Sequence, residues 1–490
     1  MARSDALFDL IKSLNPADKR RFRLRSLRYE AGSKAYLELF DQLDSMKTYD
    51  AKRLKKAFPK DTQANINLNK RYLQKALLAS LYERRLLHEK SKAKSILREA
   101  EVWDEAGVTY KAARCYRKAI KVAEERGDEE THFRAMSNYY KIIPRLRQDK
   151  PSFEEISTLG SNMQESARLL EEYVTVGVGI YLLYEQFISP EKKVSEKFQE
   201  LFTSEVFENT AESENGINRS YYHCVKGDYY RNQGNLELAF QHMQMAVDNY
   251  REYPDRIAES PTAYIGLLHN LLSCMQIASR YDLMREVLDE LEELPTTDQK
   301  SADKSFQARA YYGLIYASVT GTPLRENQLK HFKDGFDRAG IDTAIIHALR
   351  FQLGVYYFTF GDFDSAVEWI NTCLQDPDSE RIMATHTHGT LIRMLLHLEQ
   401  DERDLLEYGL ENWRRKRTGK MLGAEKVLVH SLQQYLKSPS SEHASIWREV
   451  EQQLEPFRKT ELFQHYFDFG RWARSKWKGR SMVEELRTTD

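Results

Sequence analysis

The chain has 490 residues, of which 41% are apolar and 30% charged, and it contains only 22 Gly and 12 Pro. So few turn-forming residues exclude a protein built of many short strands. The start of the chain lacks the apolar run of a secretory signal, and the longest weakly polar stretch, residues 173–184, is shorter than the roughly 20 residues of a membrane-spanning helix. We therefore expect a cytoplasmic protein that does not span a membrane.

Charge is divided unevenly along the chain. Residues 1–100 hold 24 Lys or Arg against 12 Asp or Glu, a net charge of +12, whereas the remaining residues hold 49 against 62, a net charge of −13. The near-neutral total therefore combines a basic head with an acidic body.

Residues 1–92 are predicted to form a basic helical domain. Asn15, Pro16 and Asp18 have the pattern of an N-cap, a first-turn proline and an acidic first turn. They begin a predicted helix that continues through Glu30. Further helices are predicted in segments 34–46, 49–58 and 66–86. This head resembles the start of uncharacterised repeat proteins from Bacteroidota-like bacteria, a resemblance that implies no particular function.

Two clusters of cationic residues in the head could bind the phosphates of a nucleic acid. They consist of Arg20, Arg21, Arg23, Arg25, Arg28, Lys52, Arg53, Lys55 and Lys56. The last two helices of the head could form a helix-turn-helix pair. A solvated face, or a face that docks on the acidic body of a second copy, explains the same charge.

A spaced set of small and aromatic residues recurs in the acidic body. In the first copy, offsets 0, 3, 7, 12 and 19 hold Gly227, Tyr230, Gly234, Ala239 and Ala246. In the second copy, the same offsets hold Gly354, Tyr357, Gly361, Ala366 and Cys373. A glycine inside a helix costs about 1 kcal/mol relative to alanine, and close approach of a second helix at these small residues compensates for that cost. We therefore predict two closely packed helices, the first of which ends at the glycine of offset 7.

This spacing resembles the tetratricopeptide repeat, in which each repeat is a pair of antiparallel helices. The resemblance implies an all-α, right-handed superhelical solenoid, and weaker copies extend it to about eight helix pairs over residues 93–417. The first helices of these pairs contain Ala100, Ser137, Gly179, Gly227, Leu272, Gly313, Gly354 and Met394. Residues 418–490 are predicted to form capping helices, the last of which contains Trp472 and Trp477.

In tetratricopeptide arrays, the first helices line a concave groove that binds partner peptides. Here the resemblance implies a groove lined by Asp228, Arg231, Asn232, Phe351, Val355 and Phe358. A groove with polar and apolar parts could hold an amphipathic helix or an extended segment. The alternative for Phe351 and Phe358 is that they pack only on the adjacent repeat. The lysine and asparagine set that binds a chain-terminal carboxylate in some relatives is not reproduced.

No catalytic, cofactor-binding or metal-binding pattern occurs in the sequence. The four Cys residues are far apart and are predicted to be buried free thiols. The leading hypothesis is a non-catalytic scaffold or adaptor whose groove binds a protein partner. The first alternative is a nucleic-acid-binding regulator that uses the basic head, with the array as sensor or dimerisation module. The second is a purely structural subunit of a larger complex, and a homo-oligomer remains open.

Overall fold

The structure, a computed structural model, describes residues 5–14, 16–29, 34–59, 61–87, 91–147, 149–188, 192–296, 298–336, 343–375, 383–416, 423–457 and 467–488. Over these ranges the chain forms 26 α-helices and no strand, which confirms the predicted all-α class. Two compact units divide the chain. Unit 1 comprises Met1–Val122 with Lys141–Lys150, and unit 2 comprises Ala123–Tyr140 with Pro151–Asp490. The predicted boundaries after residues 92 and 417 stay predictions.

Unit 1 is a set of helices around an aromatic and aliphatic core. Ile11, Phe22, Phe40 and Leu43 are each at most 2% exposed, and the Phe22 and Phe40 rings lie 5.0 Å apart. The helices are α1 (Ala6–Ser13), α2 (Pro16–Tyr29), α3 (Lys34–Ser45), α4 (Ala51–Ala57), α5 (Gln63–Leu87), α6 (Lys92–Glu105) and α7 (Thr109–Glu124), whose last residues belong to unit 2.

The four helices predicted in the head are present as α2 to α5. The predicted N-cap of α2, Asn15, lies outside the described residues. The sequence patterns do not predict α1, which Asp5 caps by accepting hydrogen bonds from the backbone N–H groups of Leu7 and Phe8 at 3.1 and 3.3 Å. The same carboxylate pairs with Lys70 of α5 at 2.6 Å, so the cap also joins α1 to α5.

Unit 2 begins with long and short helices that precede the best repeat copies. They are α8 (Glu129–Ile142), α9 (Phe153–Ile188), α10 (Lys192–Phe202) and α11 (Glu205–Asn209). Helix α9 has 36 residues, which corresponds to about 54 Å at the usual rise per residue. Two of the predicted first-helix positions, Ser137 and Gly179, lie in α8 and α9.

Helices of moderate length follow one another through the rest of unit 2. They are α12 (Gly216–Asn232), α13 (Leu236–Arg251), α14 (Pro254–Glu259), α15 (Thr262–Ile277), α16 (Tyr281–Glu293), α17 (Gln299–Thr320), α18 (Glu326–Asp334), α19 (Thr343–Thr359), α20 (Phe363–Gln375), α21 (Met383–Glu399), α22 (Arg403–Lys416), α23 (Gly423–Lys437), α24 (His443–Leu454), α25 (Phe469–Lys478) and α26 (Met482–Arg487).

Buried glycines let neighbouring helices approach closely, as the repeat spacing predicts. A Cβ added to Gly227 of α12 would lie 3.2 Å from the backbone oxygen of Ala239 in α13, and one added to Gly354 of α19 would lie 2.7 Å from Ile370 of α20. The residues at offset 7 begin the turns, since Gly234 and Gly361 have φ of +76° and +79°. The predicted close contact between the two helices of each pair is therefore confirmed for α12 with α13 and for α19 with α20.

A buried polar network joins α8, α9 and α12. Asn218 Nδ2 donates hydrogen bonds to the Leu169 carbonyl oxygen at 2.8 Å and to Glu172 Oε2 at 3.2 Å. Asn215 Nδ2 donates to Glu129 Oε1 at 3.0 Å. Because these acceptors are buried or partly buried, each bond also satisfies a group that would otherwise destabilise the fold.

The C-terminal helices contact the ends of earlier helices. The Phe467 ring lies 5.1 Å from the ring of Phe358 in α19, and Trp472 Nε1 donates to Glu399 Oε1 of α21 at 2.7 Å. Arg487 Nη2 donates to the Gly321 carbonyl oxygen, directly after α17, at 2.9 Å. Helices α25 and α26, with Phe467 directly before α25, therefore contact the ends of three earlier helices, and α25 also packs on α24.

Candidate functional site

Unit 2 contains an open cavity of about 910 Å³. Five helices line it, namely α9, α12, α15, α17 and α19. The repeat spacing assigns all five to the first helices of successive pairs, through Gly179, Gly227, Leu272, Gly313 and Gly354. The cavity is thus formed by the set of helices that the tetratricopeptide resemblance places along a groove.

Three of the six predicted groove residues line this cavity, and all three belong to α12. Asp228 and Arg231 form an ion pair at 2.7 Å, and Arg231 Nη1 also donates to Ser273 Oγ of α15 at 3.3 Å. Burial raises the pKa of Asp228, and the Arg231 guanidinium partly opposes that shift. Asn232 lies next to this pair at the edge of α12 and is exposed.

The other three predicted groove residues do not line the cavity. Phe351, Val355 and Phe358 are 4%, 0% and 2% exposed. They belong to a core that includes residues of α20, α21 and the C-terminal helices, and Phe358 is in ring contact with Phe467. This placement corrects the predicted role of these side chains, because their apolar character stabilises the core and offers no surface to a partner.

Lys304 of α17 adds a cation to the lining of the cavity. Among the residues that the structure describes, it forms no ion pair, and desolvation together with Lys300 lowers its pKa. His269 of α15 also lines the cavity. Desolvation, followed by Arg231 and Lys304, lowers the pKa of His269 although its side chain reaches solvent. Since Asp228 and Arg231 offset each other, the cavity presents one unpaired positive charge.

Gly266 of α15 lines the cavity without any packing reason for a glycine. A Cβ added there would meet no atom within 4 Å, in contrast to the close contacts at Gly227 and Gly354. A helix-interior glycine costs about 1 kcal/mol relative to alanine. At this position the missing side chain keeps the floor of the cavity open.

Sequence reasoning missed Lys304, His269 and Gly266. In α15 and α17 the repeat spacing identifies only Leu272 and Gly313. The predicted groove residues come from the two best copies, which do not include these helices. Gly266, His269 and Ser273 follow one another at spacings of three and four residues and therefore share one side of α15, so the signal was present in the sequence.

The cavity and the buried clusters nearby show little catalytic chemistry. Burial raises the pKa of Cys224, which lines the cavity, to about 12, so this thiol remains protonated and unreactive near neutral pH. Ser166 contacts both Glu129 and His132, but the same nitrogen, His132 Nδ1, faces the serine and the carboxylate at 3.5 Å each. A relay needs opposite ring nitrogens for these two partners.

The cysteine side chains lie mainly inside the fold. Cys224, Cys274 and Cys373 are buried thiols and Cys115 is half-buried. Within the described ranges, no three His, Cys, Asp or Glu side chains come together as metal ligands. Across those same ranges, every helix is too short or too polar to span a bilayer.

The basic residues of the head divide into paired and exposed groups. Arg23 pairs with Asp41 at 2.8 Å and Arg25 with Glu83 at 3.1 Å. The Arg28 side chain lies outside the described residues. The exposed members are Arg20, Arg21, Lys52, Arg53, Lys55 and Lys56. The structure therefore concentrates the available charge on α4 and at the start of α2.

No protein-family model matches the chain, and no curated protein matches it either. A functional assignment therefore depends on the geometry of the cavity and of the exposed faces.

Proposed function

We propose that the chain is a non-catalytic protein-binding module, a tetratricopeptide-like solenoid whose cavity holds a segment of a partner protein. The observation that carries the proposal is the cavity of about 910 Å³, which is lined by five helices that the repeat spacing assigns to the first helices of successive pairs. Its walls combine apolar side chains such as Ile180, Leu183 and Ile265 with a few polar groups, as partner-binding sites do.

The proposed occupant is an amphipathic helix or an extended segment with alternating apolar residues. Apolar side chains of the segment pack against the aliphatic wall, and an acidic residue of the segment pairs with Lys304. The ion pair between Asp228 and Arg231, which is anchored to Ser273, fixes the position of the α12 wall. A site held in this way binds without reorganising its own side chains.

The experiment that tests the proposal fills the cavity. In Gly266→Leu, the new side chain enters the space that the partner segment needs, and the substitution favours the helix because leucine has a higher helix propensity than glycine. Affinity purification with quantitative mass spectrometry should show loss of the bound partners, and circular dichroism should show an unchanged helix content. Lys304→Glu should weaken binding of the same partners, because it reverses the one unpaired charge.

Gly177→Leu is the matched control. Gly177 lies inside α9, is exposed, and has no atom within 4 Å of an added Cβ, yet it does not line the cavity. This variant should retain the partners. Recovery of the same partners by the Gly266→Leu and wild-type chains would refute the assignment of this cavity.

A further inference from the structure

Helix α5 of unit 1 has a buried side and an exposed side that are both rich in large side chains. The buried side includes Ile66, Leu73 and Leu77, each at most 3% exposed. The exposed side follows one line along the helix at alternating spacings of four and three residues: Leu68, Tyr72, Lys75, Ala79 and Tyr82. Tyr72 and Tyr82 are 56% and 64% exposed. The tyrosines therefore leave most of their ring surface free for a partner.

Cations and amides lie close to these tyrosines in the sequence, and the neighbouring carboxylate, Glu83 directly after Tyr82, pairs with Arg25 of α2 at 3.1 Å. From residue 62 to residue 82 the chain has no Asp or Glu. Arg71 and Lys75 are exposed, as are the amide side chains of Gln63, Asn67 and Gln74. Lys70 is occupied by its ion pair with Asp5. The surface of α5 thus has rings for stacking, cations for phosphates and amides for hydrogen bonds.

Helix α4 adds positive charge directly before α5. Its sequence, residues 51–57, contains four cations and no acid, and the side chains of Lys52, Arg53, Lys55 and Lys56 are exposed. Lys55 Nζ donates to the backbone oxygen of Asp61 in the α4–α5 turn, which leaves the other three cations directed at solvent. A polyanion is the partner that matches this charge.

We propose that the exposed side of α5, together with the cations of α4, binds single-stranded nucleic acid. Bases stack on Tyr72 and Tyr82, because every base offers a ring face and such stacking needs no particular sequence. The backbone phosphates lie against Arg71, Lys75 and the α4 cations. Bases in a duplex are already stacked on each other and cannot reach the two tyrosines. This surface therefore prefers single strands, and it differs from the predicted arginine cluster of α2, where Arg23 and Arg25 are already paired with acids.

The first test measures binding of the full chain by fluorescence anisotropy. The probes are labelled poly(U) RNA and oligo(dT) DNA of about 20 nucleotides, long enough for several stacked bases and phosphates, and a mixed-sequence duplex of the same length. Both single strands should bind, and more tightly than the duplex. The comparison of the two single-stranded probes shows whether the surface distinguishes RNA from DNA.

The second test changes the tyrosines. Tyr72→Ala and Tyr82→Ala should each weaken single-strand binding by about 5- to 150-fold, the range for loss of one stacked base. Tyr72→Phe and Tyr82→Phe should retain binding because they keep the ring. Tyr110→Ala is the matched control, since Tyr110 is 55% exposed in α7 of the same unit and should leave the affinity unchanged.

The third test changes the charge. Each phosphate contact on a single strand contributes about −0.7 to the slope of log affinity against log salt. Lys52→Gln with Lys75→Gln should therefore make that slope less steep by about 1.4. Arg114→Gln with Lys118→Gln, two exposed cations of α7, should leave it unchanged.

Four results would each overturn the proposal. The first is no anisotropy change with either single strand. The second is a preference for the duplex. The third is equal affinity of the Tyr72→Ala, Tyr82→Ala and Tyr110→Ala variants. The fourth is a chain that does not bind oligonucleotides but uses the two tyrosines for another contact. That contact would be seen as binding to phosphatidylserine vesicles or as self-association in sedimentation velocity, either of which is lost in the tyrosine variants.

Discussion

Two histidines meet where α12 crosses α13, and their geometry allows only one proton between them. His223 Nδ1 and His242 Nδ1 lie 2.9 Å apart. Burial lowers the pKa of His223 to about 4, and His242, Arg219 and Lys226 add to that shift. Burial, followed by Lys226, lowers the pKa of His242 as well. Both rings are therefore uncharged in the folded chain at neutral pH.

This pair predicts a loss of stability in mild acid. An unfolded histidine has a pKa of about 6.5, so between about pH 6.5 and pH 4 the unfolded chain binds more protons than the folded chain. The contribution of this pair to the free energy of unfolding is therefore fully present above pH 6.5. It is lost as the pH is lowered through this window. Urea midpoints at several pH values should show the fall, and His223→Gln should reduce its slope. His430→Gln, at an exposed position, should not, and an equal slope in all three chains would contradict the prediction.

The helix-crossing glycines give a second prediction at single positions. A Cβ on Gly354 would meet Ile370 Cγ1 and Cδ1 at 2.7 Å, so Gly354→Leu overpacks the contact and should lower the free energy of unfolding by about 1–3 kcal/mol or more. Gly177→Leu, which adds the same side chain where there is open space, should raise that energy by up to about 1 kcal/mol. Urea unfolding measures both, and equal values for the two variants would show that Gly354 is not tightly packed.

The sequence predicted part of the candidate site for a physical reason. Asp228, Arg231 and Asn232 belong to the best repeat copy, where the glycine and alanine positions define which side of α12 faces its partner helix. Phe351 and Phe358 belong to an equally good copy, but Phe351 is covered by α21 and Phe358 by Phe467, which is more than 100 positions later in the chain. Spacing within one repeat does not contain that information.

Among the helices, the long ones were the easiest to predict from sequence patterns, although the seven-residue α4 was predicted as well. The long helices of the head and of the repeat copies have several turns of apolar periodicity, which the sequence patterns detect. Helices α1, α14 and α26 have eight, six and six residues, so periodicity does not reveal them. They depend instead on caps and on tertiary contacts, such as the pair between Asp5 and Lys70.

The C-terminal helices give a prediction at the scale of elements. Trp472 of α25 is 1% exposed, lies 5.0 Å from the Trp447 ring and donates to Glu399. Trp472→Ala should therefore lower the free energy of unfolding by about 3–5 kcal/mol, as for other buried tryptophans. Hydrogen exchange should become faster at the ends of α17, α19 and α21, which α25 and its neighbours cover.

Tyr408→Ala is the control for this substitution. Tyr408 is an aromatic residue that is 62% exposed in α22, and its removal should change the free energy of unfolding by no more than about 0.5 kcal/mol. If Trp472→Ala destabilises the chain without faster exchange at the three helix ends, the C-terminal helices do not protect them.

At the scale of the whole molecule, the asymmetry of charge agrees with two separate binding surfaces. The basic head, with a net charge of +12 over residues 1–100, contains the exposed side of α5. The acidic body contains the cavity, which presents one unpaired cation inside an otherwise acidic part of the chain. Under the two proposals, Lys304 favours a partner segment with a carboxylate at the cavity, and the basic head favours a polyanion.

This separation predicts that the two binding activities respond to different substitutions. Each surface lies in its own compact unit, and substitutions that do not share a network of contacts usually act independently. Gly266→Leu should therefore abolish partner recovery while it changes oligonucleotide affinity by less than about twofold. Tyr72→Ala should do the reverse, weakening oligonucleotide binding while partner recovery in affinity purification stays at the wild-type level. If either substitution removes both activities, one surface serves both ligands, and the assignment of two independent sites is wrong.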